Sequence, residues 1–286
     1  MALDYQTLLN FRFPDVEQRY DQQDTLRYAL SVGLGSDPTD LHQLQFVYED
    51  NLLALPTMAT VLGVGDFWGT NPALGLDWPR LLHGEQSLQL HQSLPVSGQV
   101  RGCSRIVDII DKGEGIGAFF LTETTLIDLS NDTPLATLSA TVIARGDGGF
   151  GGPGGHLPAP PQIPNRKPDS RCDLPTLTQM ALLYRLNGDR NPLHADPAVA
   201  RSAGFERPIL HGLCTFGIAG HALLKTCCAY DPSRLHGMRV RFSAPVYPGE
   251  TVRTEIWREH EQITFRCWAV ERDVLVISHG SAEILL

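Results

Sequence analysis

From Gly237 to Ser243 the chain alternates, with Met238, Val240 and Phe242 on one face, the two-residue period of a half-buried strand. Three further segments follow, Thr251–Arg258, Gln262–Glu271 and Val274–Leu286, rich in Val, Ile, Thr, Phe and Trp and separated by turn residues. The N-terminal half repeats the rhythm in Gly84–Gln92, Gly98–Asp111, Gly115–Leu129 and Pro134–Arg145. One segment breaks the period. Ile209–Leu224 is apolar nearly all round, which predicts a helix buried on most sides. Its Gly217, Ala219, Gly220 and Ala222 are small enough to let other backbone come close. Each half reads as the same plan, an apolar helix followed by several strands. The expected class is α+β, two repeats of an antiparallel sheet wrapped around a central helix.

The boundary between the repeats falls in Gly148–Pro168, whose Gly and Pro density forbids a helix interior or a central strand. This divides the chain into an N-terminal domain over 1–150, a linker over 151–168 and a C-terminal domain over 169–286. A short internal match supports duplication. Leu82-His83-Gly84 opens one strand run and Leu235-His236-Gly237 the other, each followed by Pro and then Gly before the next strand.

Composition narrows the partners. The 286 residues are 42% hydrophobic and 19% charged, which suits a packed globular core. A formal charge of −9 argues against nucleic acid or an anionic membrane surface as main partner. No apolar run approaches the roughly 18 residues of a membrane span. The N-terminal residues turn polar from the fourth position, without a signal-peptide core. Cys103, Cys172, Cys214, Cys227, Cys228 and Cys267 show no C-x-x-C pair or zinc spacing, so they read as reduced thiols in a cytosol-like compartment. The ten histidines form no H-E-x-x-H, which leaves a metal site without support.

Residues 184–214 concentrate the polar groups. Asn187-Gly188-Asp189 and Asn191-Pro192 are turn signals, Asp196-Pro197 an N-cap followed by Pro, and Gly204 a helix-ending C′ residue. Taken singly, such residues usually cap turns, and a lone His is usually structural. Together, Asp189, Asn191 and His194 place a carboxylate, an amide and an imidazole on one loop before an apolar helix. Gly212, in that helix's first turn, leaves a backbone N–H free to act as an oxyanion donor. A general acid, a general base and an oxyanion donor suffice for proton chemistry next to a carbonyl.

This segment closely resembles the hydratase 2 family of (R)-specific 2-enoyl-CoA hydratases, the MaoC-like dehydratases of the hot-dog fold. The family signature stands here as Gly188-Asp-Arg-Asn-Pro-Leu-His-Ala-Asp-Pro197 and Gly204-Phe-Glu-Arg-Pro-Ile-Leu-His-Gly-Leu213. The resemblance extends through Asp24–Gly33, Val47–Glu49, Leu82–Gln86, Asp111–Gly113 and Arg145–Gly152, nearly the whole chain, in a two-domain double hot-dog form. It implies that Asp189 and His194 are the acid/base pair, Asn191 their positioning partner and Gly212 the oxyanion donor. It further implies an acyl-chain tunnel in the N-terminal half, and it links Tyr28 and Glu49 to activity. One departure is Asn187, where many relatives carry Ser. The implied substrate is a CoA thioester, with no metal or organic cofactor, and a homodimer is the implied assembly. Ile284-Leu285-Leu286 is not the peroxisomal address S-K-L, which favours a cytoplasmic home.

Rival signals are weaker. Gly146–Gly151 matches G-x-G-x-x-G but precedes a Pro-rich stretch rather than a helix, so a dinucleotide fold is not indicated. Cys214 lies inside the apolar helix and reads as core rather than nucleophile. Arg239 and Arg241 alternate as on a solvated strand face, or meet CoA phosphates together with Lys112 and Arg253. Two other classes share the expected fold: an acyl-CoA thioesterase, and a non-catalytic acyl-binding protein, which has no need of the ordered Asp-x-Asn-x-x-His set.

Overall fold

The computed structural model describes residues 3–285; Met1, Ala2 and Leu286, the last residue of the expected final strand, lie outside them. Ten strands form among the described residues: β1 (Val16–Tyr20), β2 (Leu81–Leu90), β3 (Gly98–Asp111), β4 (Ala118–Asp128), β5 (Thr133–Ala144), β6 (Ser170–Pro175), β7 (Leu235–Phe242), β8 (Thr251–Glu259), β9 (Gln262–Ala269) and β10 (Val274–Ile284). The helices are α1 (Tyr5–Leu9), α2 (Gln22–Ser31), α3 (Leu41–Val47), α4 (Met180–Tyr184), α5 (Pro197–Ser202) and α6 (Gly212–Cys227). No described helix is long and apolar enough to cross a membrane.

All ten strands join one antiparallel sheet in the order β1-β3-β4-β5-β2-β7-β10-β9-β8-β6. Read outward from the β2–β7 seam, each half has the same strand order, so the duplication expected from the short sequence match is written in the topology. At the seam Glu85 lies opposite Arg241 and Ser87 opposite Arg239. Glu85 is only 6% exposed, and it accepts from Arg239 Nη2 at 2.7 Å and Arg241 Nε at 2.6 Å. A carboxylate taken out of water needs such partners. The arginines therefore do not simply face open solvent: a carboxylate from the other repeat engages both.

The curl of the sheet is filled differently in the two halves. In the C-terminal half α6 is buried continuously from Cys214 to Leu224, as its all-round apolar pattern predicts. In the N-terminal half the 3₁₀ segment Pro56–Val61 runs beside α2 and packs onto α6. The small residues of α6 make that contact possible. A Cβ at Gly220 would lie 2.6 Å from Thr57 Cγ2, and one at Gly217 would lie 2.6 Å from Val32 Cγ1. Beyond the 3₁₀ segment the chain crosses strand β3 so closely that a Cβ at Gly102 would stand 1.9 Å from the Gly63 carbonyl oxygen. The equivalent tyrosines of α2 and α4, Tyr28 and Tyr184, meet with ring centroids 6.3 Å apart.

His221, in the middle of α6, is fully buried, with Nε2 3.3 Å from the Tyr230 hydroxyl. Burial lowers its pKa to about 4, more than the Val32 carbonyl raises it. The unfolded chain, with an ordinary His value near 6.5, binds a proton that the folded chain refuses between these limits. Stability should therefore decline as pH falls from about 6.5 towards 4. In urea titrations across that range, His221→Leu should show a shallower slope than the wild type, by about one proton. Parallel slopes would exclude His221 as a source of acid instability.

Candidate active site

The Asp189 loop is held from both halves of the molecule. Asn187 Nδ2 donates to Ser31 Oγ on α2 at 2.9 Å, so the departure from the family's Ser ties the loop to the N-terminal repeat. Gly188 turns the chain at φ +122°, which favours glycine. Two nested Asx turns follow. Asp189 Oδ1 accepts from Asn191 N–H at 3.1 Å, and Asn191 Oδ1 accepts from Leu193 N–H at 3.0 Å, capping the 3₁₀ turn Pro192–His194. Asn191 thus positions His194 through the backbone. Asp196 then N-caps α5, accepting from Ala198 N–H at 2.7 Å. Gly204 N–H and Phe205 N–H bond back to Arg201 and Ala200 in a Schellman closure, with Gly204 at φ +87°.

His194 is 8% exposed, and its Nδ1 lies 2.8 Å from the Ile209 carbonyl. A carbonyl only accepts, so Nδ1 carries the proton and Nε2 is left as the basic atom. Burial lowers the His194 pKa, outweighing the Ile209 carbonyl and the Asp189 carboxylate, which raise it. The imidazole is therefore neutral and ready to take a proton. Asp189 itself is exposed, as a group that meets an incoming molecule should be.

Sequence reasoning missed His211 as a member of this cluster. Its ring stacks on His194, with centroids 3.7 Å apart and planes 27° apart, and its Nε2 donates to the Asp189 main-chain carbonyl at 3.2 Å. Burial, and then the neighbouring His194, keep it neutral by lowering its pKa. One nitrogen or oxygen from each of Asp189, His194 and His211 lies within 4.8 Å of the other two. Stacked rings direct their lone pairs side by side rather than towards a common point, and each ring already spends one nitrogen on a carbonyl. The set therefore fits proton transfer better than chelation. The signal for His211 was its place immediately before Gly212 in the second signature block.

Gly212 is the first residue of α6, so its N–H has no partner within the helix. A Cβ there would lie 3.6 Å from the Phe242 ring, and Phe242 in turn lies 5.1 Å from the His83 ring, centroid to centroid. His83 comes from the N-terminal repeat, and its Nε2 is buried with no hydrogen-bond partner among the described residues. It too was not named as a site residue from the sequence, where it stood in a repeat match and in the Leu82–Gln86 part of the resemblance.

The remaining candidates lie elsewhere. Lys112 and Arg241 line a cavity of about 370 Å³ that Phe242 also lines. Arg253 instead pairs with Asp173 on the outer strands β8 and β6. Tyr28 is fully buried in the core, with its hydroxyl beside Gly217, and reaches His211 only through Tyr184. Glu49 is exposed in the turn after α3 and shares no hydrogen bond or ion pair with the Asp189 cluster. A larger cleft of about 740 Å³ on the outer edge, lined by Arg19–Gln23 and Ser97–Gln99, contains no part of that cluster.

Comparisons with known proteins agree across the chain. The MFE-2 hydratase 2 N-terminal domain is matched over residues 18–146 and the MaoC like domain over residues 160–279. The 3-hydroxyacyl-thioester dehydratase Y of Mycobacterium tuberculosis is 42% identical over 279 residues, covering 92% of each chain. The peroxisomal enoyl-CoA hydratase 2 of Arabidopsis thaliana is 36% identical, covering 95% of this chain and 92% of its own. The solved MaoC-like dehydratase from Phytophthora capsici superposes with a TM-score of 0.85 at 33% identity, over 99% of this chain and 98% of its own. The chain belongs to the MaoC-like dehydratases, in the two-repeat hydratase 2 form, and is a hydro-lyase of that family.

Proposed function

We propose that the enzyme adds water reversibly across the double bond of a trans-2-enoyl-CoA, giving the (3R)-3-hydroxyacyl-CoA, and that Asp189 and His194 carry the proton transfers. The observation that supports this most directly is the convergence of a solvent-facing carboxylate and a neutral, Nδ1-anchored imidazole at the end of α6 that begins with Gly212. The thioester carbonyl oxygen sits on the Gly212 N–H. Water held between Asp189 and His194 gives up a proton as its oxygen attacks C3, and the double-bond electrons move towards the carbonyl oxygen. C2 then receives a proton from the same pair, which ends as it began. The Gly212 contact is worth ~10²–10³-fold in rate by the usual cost of an oxyanion donor.

The substrate's CoA portion follows the cavity beside Phe242, where Lys112 supplies positive charge in a chain of net charge −9 and Arg241 lines the wall while paired with Glu85. Six free cysteines, five of them buried, suit a reducing compartment such as the cytoplasm. Following the enoyl thioester absorbance over acyl lengths from four to sixteen carbons tests the reading. Disappearance on adding enzyme is expected for at least one length. Release of free thiol from saturated acyl-CoA, without hydration, would make the protein a thioesterase instead.

A further inference from the structure

The Gly-rich run before the C-terminal half has a specific partner. The Asp111 carboxylate, at the end of β3, accepts from four backbone amides. Oδ1 takes Gly113 N–H at 2.9 Å and Gly149 N–H at 2.7 Å, while Oδ2 takes Gly151 N–H at 3.0 Å and Gly152 N–H at 3.2 Å. Two of the four, Gly149 and Gly151, come from the segment that resembled a dinucleotide loop and a third, Gly152, directly follows it; Asp111's own N–H donates to the Pro153 carbonyl at 2.9 Å. The glycines are required by this wrap. Gly149 and Gly151 both have φ +83°, and a Cβ at Gly148 would lie 2.3 Å from the Gly113 carbonyl oxygen. Burial alone would raise the Asp111 pKa, but the four amides outweigh it and keep the carboxylate charged.

The anchored segment continues over the cavity that Phe242 lines. Lys112, next to Asp111, donates from Nζ to the Gly155 carbonyl at 2.8 Å. His156–Pro160 then form one side of the cavity, facing Phe119, Ile143, Phe242 and Arg241. We infer that this Gly- and Pro-rich segment is a wall of the substrate groove and that Asp111 is the positioning residue that holds it in place. The wall sets apolar surface from Leu157 and Pro158 beside Lys112 and the Arg241–Glu85 pair, which suits the pantetheine arm of CoA with one cation at hand for a phosphate. This rests on the acyl-CoA reading. Asp111 acts on substrate affinity through the wall and leaves the Asp189–His194 chemistry alone.

Hydrogen exchange and calorimetric titration with coenzyme A on the full chain test the inference. In Asp111→Asn, exchange should rise across residues 148–160 while α6 stays as protected as in the wild type. Coenzyme A should bind roughly tenfold more weakly, the cost of re-ordering the wall on binding. With enoyl-CoA, KM should rise by a similar factor and kcat should change less than threefold. Leu157→Trp, which fills the cavity without touching the anchor, should weaken coenzyme A binding with exchange unchanged. A loosened segment with unaltered coenzyme A affinity, or a segment still protected in Asp111→Asn, overturns the inference. Either result in an enzyme that hydrates enoyl-CoA leaves the hydratase reading standing. A wild type that binds coenzyme A in an Asp111-dependent way without hydrating enoyl-CoA overturns only the hydratase reading.

Discussion

Asp189→Asn and His194→Gln should each lower kcat for enoyl-CoA hydration by ~10²–10⁴-fold, the usual worth of a positioned acid or base. Asn at 189 keeps an oxygen for the Asn191 N–H, so the Asx turn that shapes the loop survives and the loss reports on proton transfer. His194 is braced independently by the Ile209 carbonyl and the Pro192–His194 turn, so its replacement removes the basic Nε2 and leaves the frame. The two groups serve one water, so the double variant should be little worse than the more damaged single one. Loss of enoyl absorbance measures all three, with circular dichroism as the check on folding. Full activity in both single variants would sink the acid/base assignment.

Gly102→Ala should destabilise the fold by at least about 3 kcal/mol, among the largest effects open to a single methyl group. The added carbon would stand 1.9 Å from the Gly63 carbonyl oxygen, and the obstacle is backbone on both sides, which no rotamer change relieves. Strand β3 is hydrogen-bonded to β1 and β4, so it cannot retreat without breaking a ladder. Gly154→Ala is the matching control, since the nearest atom to its new Cβ is 3.9 Å away. Urea unfolding should separate the two variants clearly, with Gly154→Ala within ~0.5 kcal/mol of wild type. A Gly102→Ala protein as stable as the control would mean that the Gly63 crossing is not a fixed part of the native state.

Much of this architecture was legible because the local rules do not compete here. The run Gly98–Asp111 was bounded by a turn on each side and forms strand β3 over the same residues. Asp196-Pro197 and Gly204 bracketed α5 by cap chemistry alone. The central helix begins three residues later than its apolar run, at Gly212, because Leu210 N–H bonds to the Val246 carbonyl in extended backbone. Strands β1 and β6 are short, with five and six residues, and leave too little period to read. Pairing of β2 with β7 joins segments some 150 residues apart, which no local pattern encodes. The loop carrying Asp189, Asn191 and His194 was legible as a motif. His83 was not, because it meets Phe242 only when the two repeats are brought together, and His211 was not, because its stack on His194 is made by tertiary folding that no local pattern encodes.

The Glu85 clasp also has a bearing on how such proteins recombine. A crossover within the connector would take Glu85 from one parent and Arg239 and Arg241 from the other. A hybrid whose second parent lacks those cations would inherit a carboxylate buried at the join with nothing to neutralise it. Halves of related enzymes are therefore exchangeable parts only when both sides of that contact travel together.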